Sequence, residues 1–344
     1  MEIIDGQVHL NHLGIDACIA AMDATGVDAA IIDQYPTTGE RLAGGAMRYR
    51  FDISEEAVTR FPARFGYVVR IDPLDPDMEA LVAGVRLQPG RLGIRIDKPS
   101  AASLAEGGYD RFLGTAMEHE VPVWITLPGR MPELGLLAGA FPDLQFIIDH
   151  AGVPEDWRRI GEDRFAPLDE VIALSAHSNV AVKWGHMTKM SAMPFPYEDV
   201  LRQLRRLVDA FGAHRVMWES DWTQCRGHET LAEMLFSIRL APAFSAEEKE
   251  WLLGRSATTL MRWDRPRDKV DVVAIAESDW PAFERALASA GRLPHGGVRA
   301  VRMTSGEVPP DGHVIATGPI AGASQVTLDE AVHVMLNGRL PRGR

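Results

Sequence analysis

The stretch IIDGQVHL, residues 3–10, sets the pattern that most of the chain repeats. It is a short apolar run that ends in polar side chains, Gln7 and His9, and a helical pattern follows it over residues 15–25. This order is typical of a parallel β-strand and its crossover helix. We therefore expect a first strand–helix unit with polar residues at the carboxyl end of the strand.

Seven more short apolar runs follow, separated by helical patterns or long loops. They cover residues 27–33, 65–72, 92–97, 121–126, 144–150, 180–184 and 216–221. Eight parallel strand–helix units over about 260 residues predict an α/β fold of the (β/α)8 TIM barrel type. A doubly wound sheet is the alternative, but it typically has fewer strands, and no Gly-x-Gly-x-x-Gly follows the first run.

The pattern changes after the eighth unit. Ser245 is expected to be the N-cap of the last barrel helix, which would run to about Gly254, and a second short helix is expected over residues 257–263. A polar break follows, and beyond it comes a β-α-β-β-α pattern. We predict a barrel over residues 1–264 and a small C-terminal α/β domain over residues 270–344, whose residues indicate no role.

The composition limits the partners of the chain. Its 344 residues include 36 Lys and Arg against 48 Asp and Glu, a formal net charge of -12. Without a basic run it is a poor partner for nucleic acid, because phosphate contacts need basic side chains. No apolar run reaches the roughly 18 residues of a membrane span, no signal peptide is visible, and Cys18 and Cys225 make no disulfide framework. We expect a cytoplasmic protein with a small-molecule substrate, and the sequence leaves a homo-oligomer open.

Polar side chains lie at the ends of the predicted strands, where (β/α)8 barrels have their catalytic residues. Gln7 and His9 can converge, because residues two apart on a strand face the same side. The candidate residues at the ends of the later strands are Arg95, His150, Lys183, His186 and Asp221. Titratable side chains at five strand ends are more than core packing requires, so this edge is predicted to hold an active site.

Four motifs at these strand ends carry a family resemblance. DGQVH (5–9) stands where the family has Asp-x-His-x-His, and DHAG (149–152) matches Asp-His-x-Gly. KWGH (183–186) stands at a Lys-x-Ser-Gly-like turn, and WESDW (218–222) matches Trp-x-Ser-Asp-Trp. Over about residues 1–263 the chain thus resembles the amidohydrolase superfamily, in particular the amidohydrolase-2 branch of lactonases and nonoxidative decarboxylases. The resemblance implies a metal-dependent or metal-independent hydrolase.

The chain departs from the family pattern in ways that bear on metal binding. Gln7 replaces the first metal-type histidine, and Thr126 lies on the fifth strand where many metal-dependent members have a ligand. These changes argue against a binuclear site. His9, His150 and Asp221 remain, and three ligands with an open position are typical of one catalytic divalent metal, Zn or Mn. The same three residues could instead act without metal, as in the metal-independent lactonases.

The resemblance and the residue types together predict the chemistry. Asp221 would take a proton from the attacking water, because a carboxylate in an apolar pocket tends to have a raised pKa and suits a general base. His9, His150 and a bound metal would polarise the carbonyl and hold the oxyanion. The alternative interpretations are structural. Asp221 would be the N-cap of the following segment, and His9 and His150 would be core histidines whose hydrogen bonds are all formed.

The remaining candidates are predicted to bind substrate. Arg95, with Lys183 or His186, would hold a carboxylate of an anionic substrate, since a guanidinium suits a carboxylate. Arg95 and Lys183 could also be structural ion pairs. Gln7 is as suited to support a neighbouring ligand as to contact the substrate. His186 stands where the family more often has a small residue, which bears on the shape of the pocket.

The main functional prediction is a hydrolase of a small cyclic ester, a lactone, or a related carbonyl compound. A nonoxidative decarboxylase is the first alternative, and it would need a firmly bound metal. A catalytically inactive barrel that acts as a binding subunit is the second. All three interpretations rest partly on fold, which by itself does not fix a function.

Overall fold

The structure is a computed structural model that describes residues 1–97, 99, 103–104, 106–153, 162–224, 229–265, 270–291, 294, 298–303 and 313–340. The chain divides into two compact units, Met1–Arg265 and Pro266–Arg344. The predicted domain bounds, 1–264 and 270–344, stay a prediction. Cys18 is a buried free thiol, and Cys225 lies outside the described residues.

Eight parallel strands form the centre of the first unit. They are β1 Ile4–Val8, β2 Ala29–Asp33, β5 Phe65–Val69, β6 Arg91–Asp97, β7 Val123–Thr126, β8 Phe146–Ile148, β9 Val180–Trp184 and β10 Val216–Trp218. They pair in this order in one sheet that is nearly closed, and the backbone N–H of Asp221 donates to the carbonyl of Gln7 at 3.1 Å across the gap. The predicted (β/α)8 barrel is confirmed.

Helices alternate with these strands. They are α1 Ile15–Thr25, α2 Asp52–Arg60, α3 Met78–Ala83, α4 Asp110–Glu118, α5 Met131–Ala140, α6 Leu168–Ala173, α7 Glu198–Phe211 and α8 Leu231–Leu240. The first has the predicted bounds, because Gly26 adopts the left-handed conformation (φ 81°) that ends a helix at low cost. Their apolar faces pack against outward-facing strand residues in one large core.

The last helical segment of the barrel differs from its prediction. Ser245 is the N-cap as expected and accepts a hydrogen bond from the backbone of Glu248. The helix does not end near Gly254, however, but continues from α9 Ala246–Glu250 through one π-helical turn into α10 Ser256–Leu260. Gly254 is needed for packing, since a Cβ there would collide with the carbonyl oxygen of Glu2. The glycine therefore marks a close backbone approach instead of a helix end.

One hairpin in the first unit has no counterpart in the prediction. Strands β3 Thr38–Arg41 and β4 Met47–Arg50 pair antiparallel between β2 and α2. Strand β3 (TGER) is largely exposed and has no apolar side chain, whereas β4 (MRYR) is mostly half-buried and has Met47 and Tyr49 on one face. An alternation of only four residues is too short to identify a strand in sequence.

The second unit contains a small parallel sheet. Its strands are β11 Val272–Ala276, β12 Arg299–Met303, β13 Val314–Ala316 and β14 Ser324–Gln325, in the order β12-β11-β13-β14. Helices α11 Trp280–Ser289 and α12 Leu328–Asn337 complete it, and only the two-residue β14 is absent from the predicted pattern. Within the described parts of both units, no helix is long and apolar enough to cross a membrane.

Candidate active site

Six barrel strands change from apolar to mostly charged inward-facing side chains toward their carboxyl ends. An inward-facing apolar layer contains Ile31, Val68, Trp124, Ile147, Ala181 and Met217. Two residues further toward the carboxyl ends lie Asp33, Arg70, Thr126, Asp149, Lys183 and Glu219, all buried. Because side chains two apart share a face of a strand, the charged layer lies directly on the apolar one. This layer is the floor of the candidate site.

The charged layer is a continuous network of opposite charges. Asp33 accepts hydrogen bonds from both Arg70 and Arg95. Arg95 also lies 2.6 Å from Asp149, which accepts a hydrogen bond from Lys183 at 2.5 Å. Burial alone would raise the pKa of Asp33, but the two guanidinium groups outweigh it and hold that pKa at about 2. Each buried charge is thus balanced by an opposite neighbour, as a low-dielectric interior requires.

A cavity of about 260 Å³ opens above this floor. Its lining residues are Gln7, His9, Tyr35, Arg70, Arg95, Asp97, His150, His186, Lys189, Asp221 and Gln224. Six of the seven predicted site residues are in this set. The seventh, Lys183, is fully buried and does not line the cavity, and its contact with a substrate stays a prediction. A larger cavity of about 500 Å³ shares only Arg70 with the site.

Asp221 lies at the centre of the cavity between two imidazoles. His9 Nε2 is 2.8 Å from its Oδ1, and His186 Nε2 contacts its Oδ2. Burial would raise the pKa of Asp221, but the charges of His186 and His9 outweigh burial and hold that pKa well below its usual range. The expectation of a raised pKa was wrong in direction, because imidazoles and not apolar groups surround the carboxylate. Asp221 is therefore ionised at neutral pH.

The three histidines differ in electrostatic environment. Burial works against a charged His150, yet Glu219 and Asp149 outweigh it and raise the pKa of His150 to about 9. His186 stacks on His150 with ring centroids 4.1 Å apart, and burial followed by the charge of His150 lowers the pKa of His186. Burial would lower the pKa of His9, but Asp221 dominates and raises it. The negative field at His150 favours a cation there, whether a proton or a metal ion.

Three of the central residues lie in strained backbone. His150, His186 and Asp221 have φ values of 49°, 60° and 48°. The left-handed region is uncommon for residues other than glycine, although His and Asp are enriched there among non-glycine residues. Each of them follows the end of a barrel strand, where a tight turn aims the side chain into the cavity. Strain of this kind clusters at functional sites.

These residues fit one divalent metal ion. His150, His186 and Asp221 each offer a ligand atom, and the three atoms lie within 4.8 Å of one another. Two imidazole nitrogens and a carboxylate oxygen suit zinc, whose catalytic sites have three protein ligands. The group contains His186 where the sequence prediction has His9.

Glu219 is a central residue that the sequence analysis did not single out. Its Oε1 lies 2.7 Å from His150 Nδ1, and its Oε2 lies 2.6 Å from Lys183 Nζ. A carboxylate at Nδ1 fixes the imidazole so that Nε2 faces the cavity. The sequence feature that could have indicated Glu219 as a site residue is its spacing, since Glu219 shares a strand face with Met217 and Asp221.

Gly185 makes room for this glutamate. A Cβ at position 185 would lie far inside contact distance of Glu219 Cγ and Oε1. Glu219 cannot move away easily, because both of its oxygens are held by Lys183 and His150. The glycine in the KWGH motif is therefore explained by the side chain on the next strand.

We predict that Gly185→Ala lowers the free energy of unfolding by about 1–3 kcal/mol, the usual cost of overpacking. Chemical denaturation measures it, with Gly114→Ala as the control, because nothing lies within 4 Å of a Cβ at position 114 in α4. The control should be neutral or stabilising by roughly 0.5–1 kcal/mol. In the double variant with Glu219→Ala the two losses should not add, since the clash is gone. Additive losses would contradict the packing argument.

The fold is a (β/α)8 barrel, and a cluster of His and Asp side chains forms a candidate active site at the carboxyl ends of its strands. The family model described as amidohydrolase matches residues 6–263, and the chain belongs to this family, which confirms the resemblance seen in the motifs.

Individual relatives agree with this assignment. The L-fucono-1,5-lactonase of Burkholderia ambifaria is 29% identical over 216 residues, which cover 59% of this chain and 68% of that enzyme. A zinc-bound amidohydrolase structure from Burkholderia multivorans has a TM-score of 0.62 at 19% identity, covering 76% of this chain and 99% of that one. A putative 2-pyrone-4,6-dicarboxylic acid hydrolase from Pseudomonas putida has a TM-score of 0.59 at 21% identity, covering 76% and 98%. At these identities the two structures show the shared fold.

Proposed function

We propose that the protein hydrolyses a small lactone that carries a negative charge. The observation that carries the proposal is the ionised Asp221 held between His9 and His186 in a cavity of about 260 Å³. The similarity to a lactonase supports a cyclic ester as the substrate class. The cavity volume of about 260 Å³ suits a small-molecule substrate.

The proposed reaction uses Asp221 as the base. Water attacks the ester carbonyl, and its proton passes to the carboxylate of Asp221 as the new carbon–oxygen bond forms. The ring carbon–oxygen bond then breaks, and the leaving oxygen takes up a proton. His9, whose pKa is raised by Asp221, holds a proton at the cavity for this transfer. The products are a hydroxyl group and a carboxylate on one open chain.

His150, His186 and Asp221 are the proposed ligands of one zinc or manganese ion. When bound, such an ion would polarise the ester carbonyl as a Lewis acid. Glu219 orients His150 for this role through the Nδ1 contact of 2.7 Å. His9 is proposed to face Asp221 Oδ1 and not to bind the metal. The proposed ligands therefore differ from the set His9, His150 and Asp221 predicted from the sequence.

The anionic group of the substrate is proposed to meet Lys189. The two guanidinium groups that line the cavity, Arg70 and Arg95, already pair with Asp33. Lys189 lines the same cavity and forms no ion pair with a residue in the described part of the chain. Arg95 and Gln7 remain at the cavity wall as neighbours of the substrate, whereas Lys183 would act through the residues it holds.

The test is hydrolysis of paired lactones, one with a carboxylate and one without. We predict turnover of both, and for Lys189→Met a roughly tenfold rise in KM for the anionic lactone alone, the cost of one charged hydrogen bond. Lys249→Met, outside the cavity lining, is the control and should leave both KM values unchanged. Hydrolysis with equal KM changes for both lactones would reject Lys189 as the anion contact.

The same panel tests the reaction class. Aromatic carboxylic acids are included, and carbon dioxide release is measured beside lactone hydrolysis. Carbon dioxide release without lactone hydrolysis would replace the proposal by a decarboxylase. Ligand binding without turnover of any compound would favour a binding subunit.

A further inference from the structure

A second group of potential metal ligands lies below the first. Asp149, His150 and Glu219 are all buried, and one ligand atom from each lies within 4.8 Å of the other two. Two carboxylates and an imidazole could hold a divalent cation on their own. The two groups share His150, so the arrangement at first suggests two neighbouring ions.

Lys183 already supplies a cation to the lower group. Its Nζ lies 2.5 Å from Asp149 Oδ1 and 2.6 Å from Glu219 Oε2. The same ammonium donates to Gln7 Oε1 and lies 3.5 Å from the centroid of the Trp124 ring. Two carboxylates, an amide oxygen and an aromatic face therefore surround it, all of them favourable neighbours of a positive charge.

The ligand atoms of the lower group are also engaged. Asp149 Oδ2 faces Arg95 at 2.6 Å and accepts a hydrogen bond from Thr126 at 2.9 Å. His150 Nδ1 is engaged by Glu219. A divalent ion at this place would have to break these contacts and lie beside two fixed positive charges, which repel it strongly in a low-dielectric interior.

We infer that the Lys183 ammonium takes the place of a metal ion in the group Asp149, His150 and Glu219. Among the residues that the structure describes at this end of the barrel, there is then room for at most one ion, at the upper group. The inference also explains Gln7. Its amide oxygen accepts from Lys183, while its amide nitrogen lies 3.2 Å from His9 Nε2, so a neutral side chain connects the resident cation to the cavity wall.

Metal stoichiometry tests this inference without any substrate, so it does not depend on the proposed reaction. The protein is stripped of metal, incubated with excess Zn²⁺, desalted to remove loosely held ions, and analysed by mass spectrometry. We expect at most one equivalent per chain for the unchanged protein. We expect Lys183→Ala to hold one equivalent more, because two buried carboxylates lose their cation. Lys189→Ala removes a lysine from the same site without freeing a carboxylate pair, and it should gain none.

Folding of the Lys183→Ala variant is measured by circular dichroism on the same samples. If Lys183→Ala is unfolded when stripped, Zn²⁺ should restore its circular dichroism spectrum, whereas the unchanged protein needs no metal to fold. Two equivalents in the unchanged protein would overturn the inference. A folded Lys183→Ala that holds no more metal than the unchanged protein would also overturn it, and so would failure of Zn²⁺ to restore an unfolded variant.

Discussion

Asp221→Asn is expected to lower turnover by at least about a hundredfold while the barrel stays folded, the usual loss when a general base is removed. The amide has the size of the carboxylate but cannot accept the proton of the attacking water. Asparagine also tolerates the left-handed backbone of position 221 (φ 48°), so the strand end keeps its conformation. Steady-state hydrolysis gives the turnover, and thermal unfolding and metal content are measured on the same preparation.

The matched control is Asp97→Asn. Asp97 also lines the cavity, but it is exposed and no imidazole holds it. Replacement of Asp97 should change turnover by no more than a few-fold. A loss of roughly a hundredfold is expected only when the replaced group transfers a proton in the reaction. Near-normal turnover of Asp221→Asn would show that another group is the base. A large loss in both variants would indicate a general effect of cavity charge.

The second large effect is expected in stability. Asp33→Ala should lower the free energy of unfolding by about 3–5 kcal/mol, because it leaves Arg70 and Arg95 buried without their shared carboxylate. The effect should depend on pH. The pKa of Asp33 is held at about 2, below its ordinary value of 3.8, so its stabilisation is present above the ordinary value and is lost as the pH falls toward 2.

Denaturant unfolding at neutral and acidic pH measures both effects. Asp209→Ala is the control, because Asp209 forms an exposed ion pair with Arg205 one turn earlier in α7. Such a pair contributes about 0.5 kcal/mol or less. The difference between the Asp33→Ala variant and the unchanged protein should shrink on acidification. Equal losses in the two variants would mean that the buried network adds little to stability.

The barrel could be predicted from the sequence because each of its strands coincides with a short run that is rich in apolar residues. Strands buried on both faces leave that signal whatever surrounds them. The hairpin β3–β4 left only a weak signal, since β3 has no apolar side chain and the alternation in β4 covers only four residues. The helix through Gly254 was misjudged for a related reason, because the contact that explains the glycine lies at the other end of the chain.

The candidate site was predictable where residues end strands and not where they pair across the barrel. His9, His150 and Asp221 follow apolar runs directly, and the structure brings them to one cavity. Lys183 ends a strand as well, but nothing local indicates that carboxylates 34 and 36 positions away enclose it. Which charged side chains pair across the barrel depends on how the sheet closes, and the local sequence does not show this.

The close packing of Gly185 against Glu219 restricts the order in which these two positions of the chain can be changed. A glutamate can enter at 219 only in a chain that already has glycine at 185, because any other residue would occupy its space. Once the glutamate is held by Lys183 and His150, the glycine can no longer be replaced without losing it. The two residues therefore constrain each other. An engineered variant has to replace Glu219 before Gly185, which follows β9, can be changed.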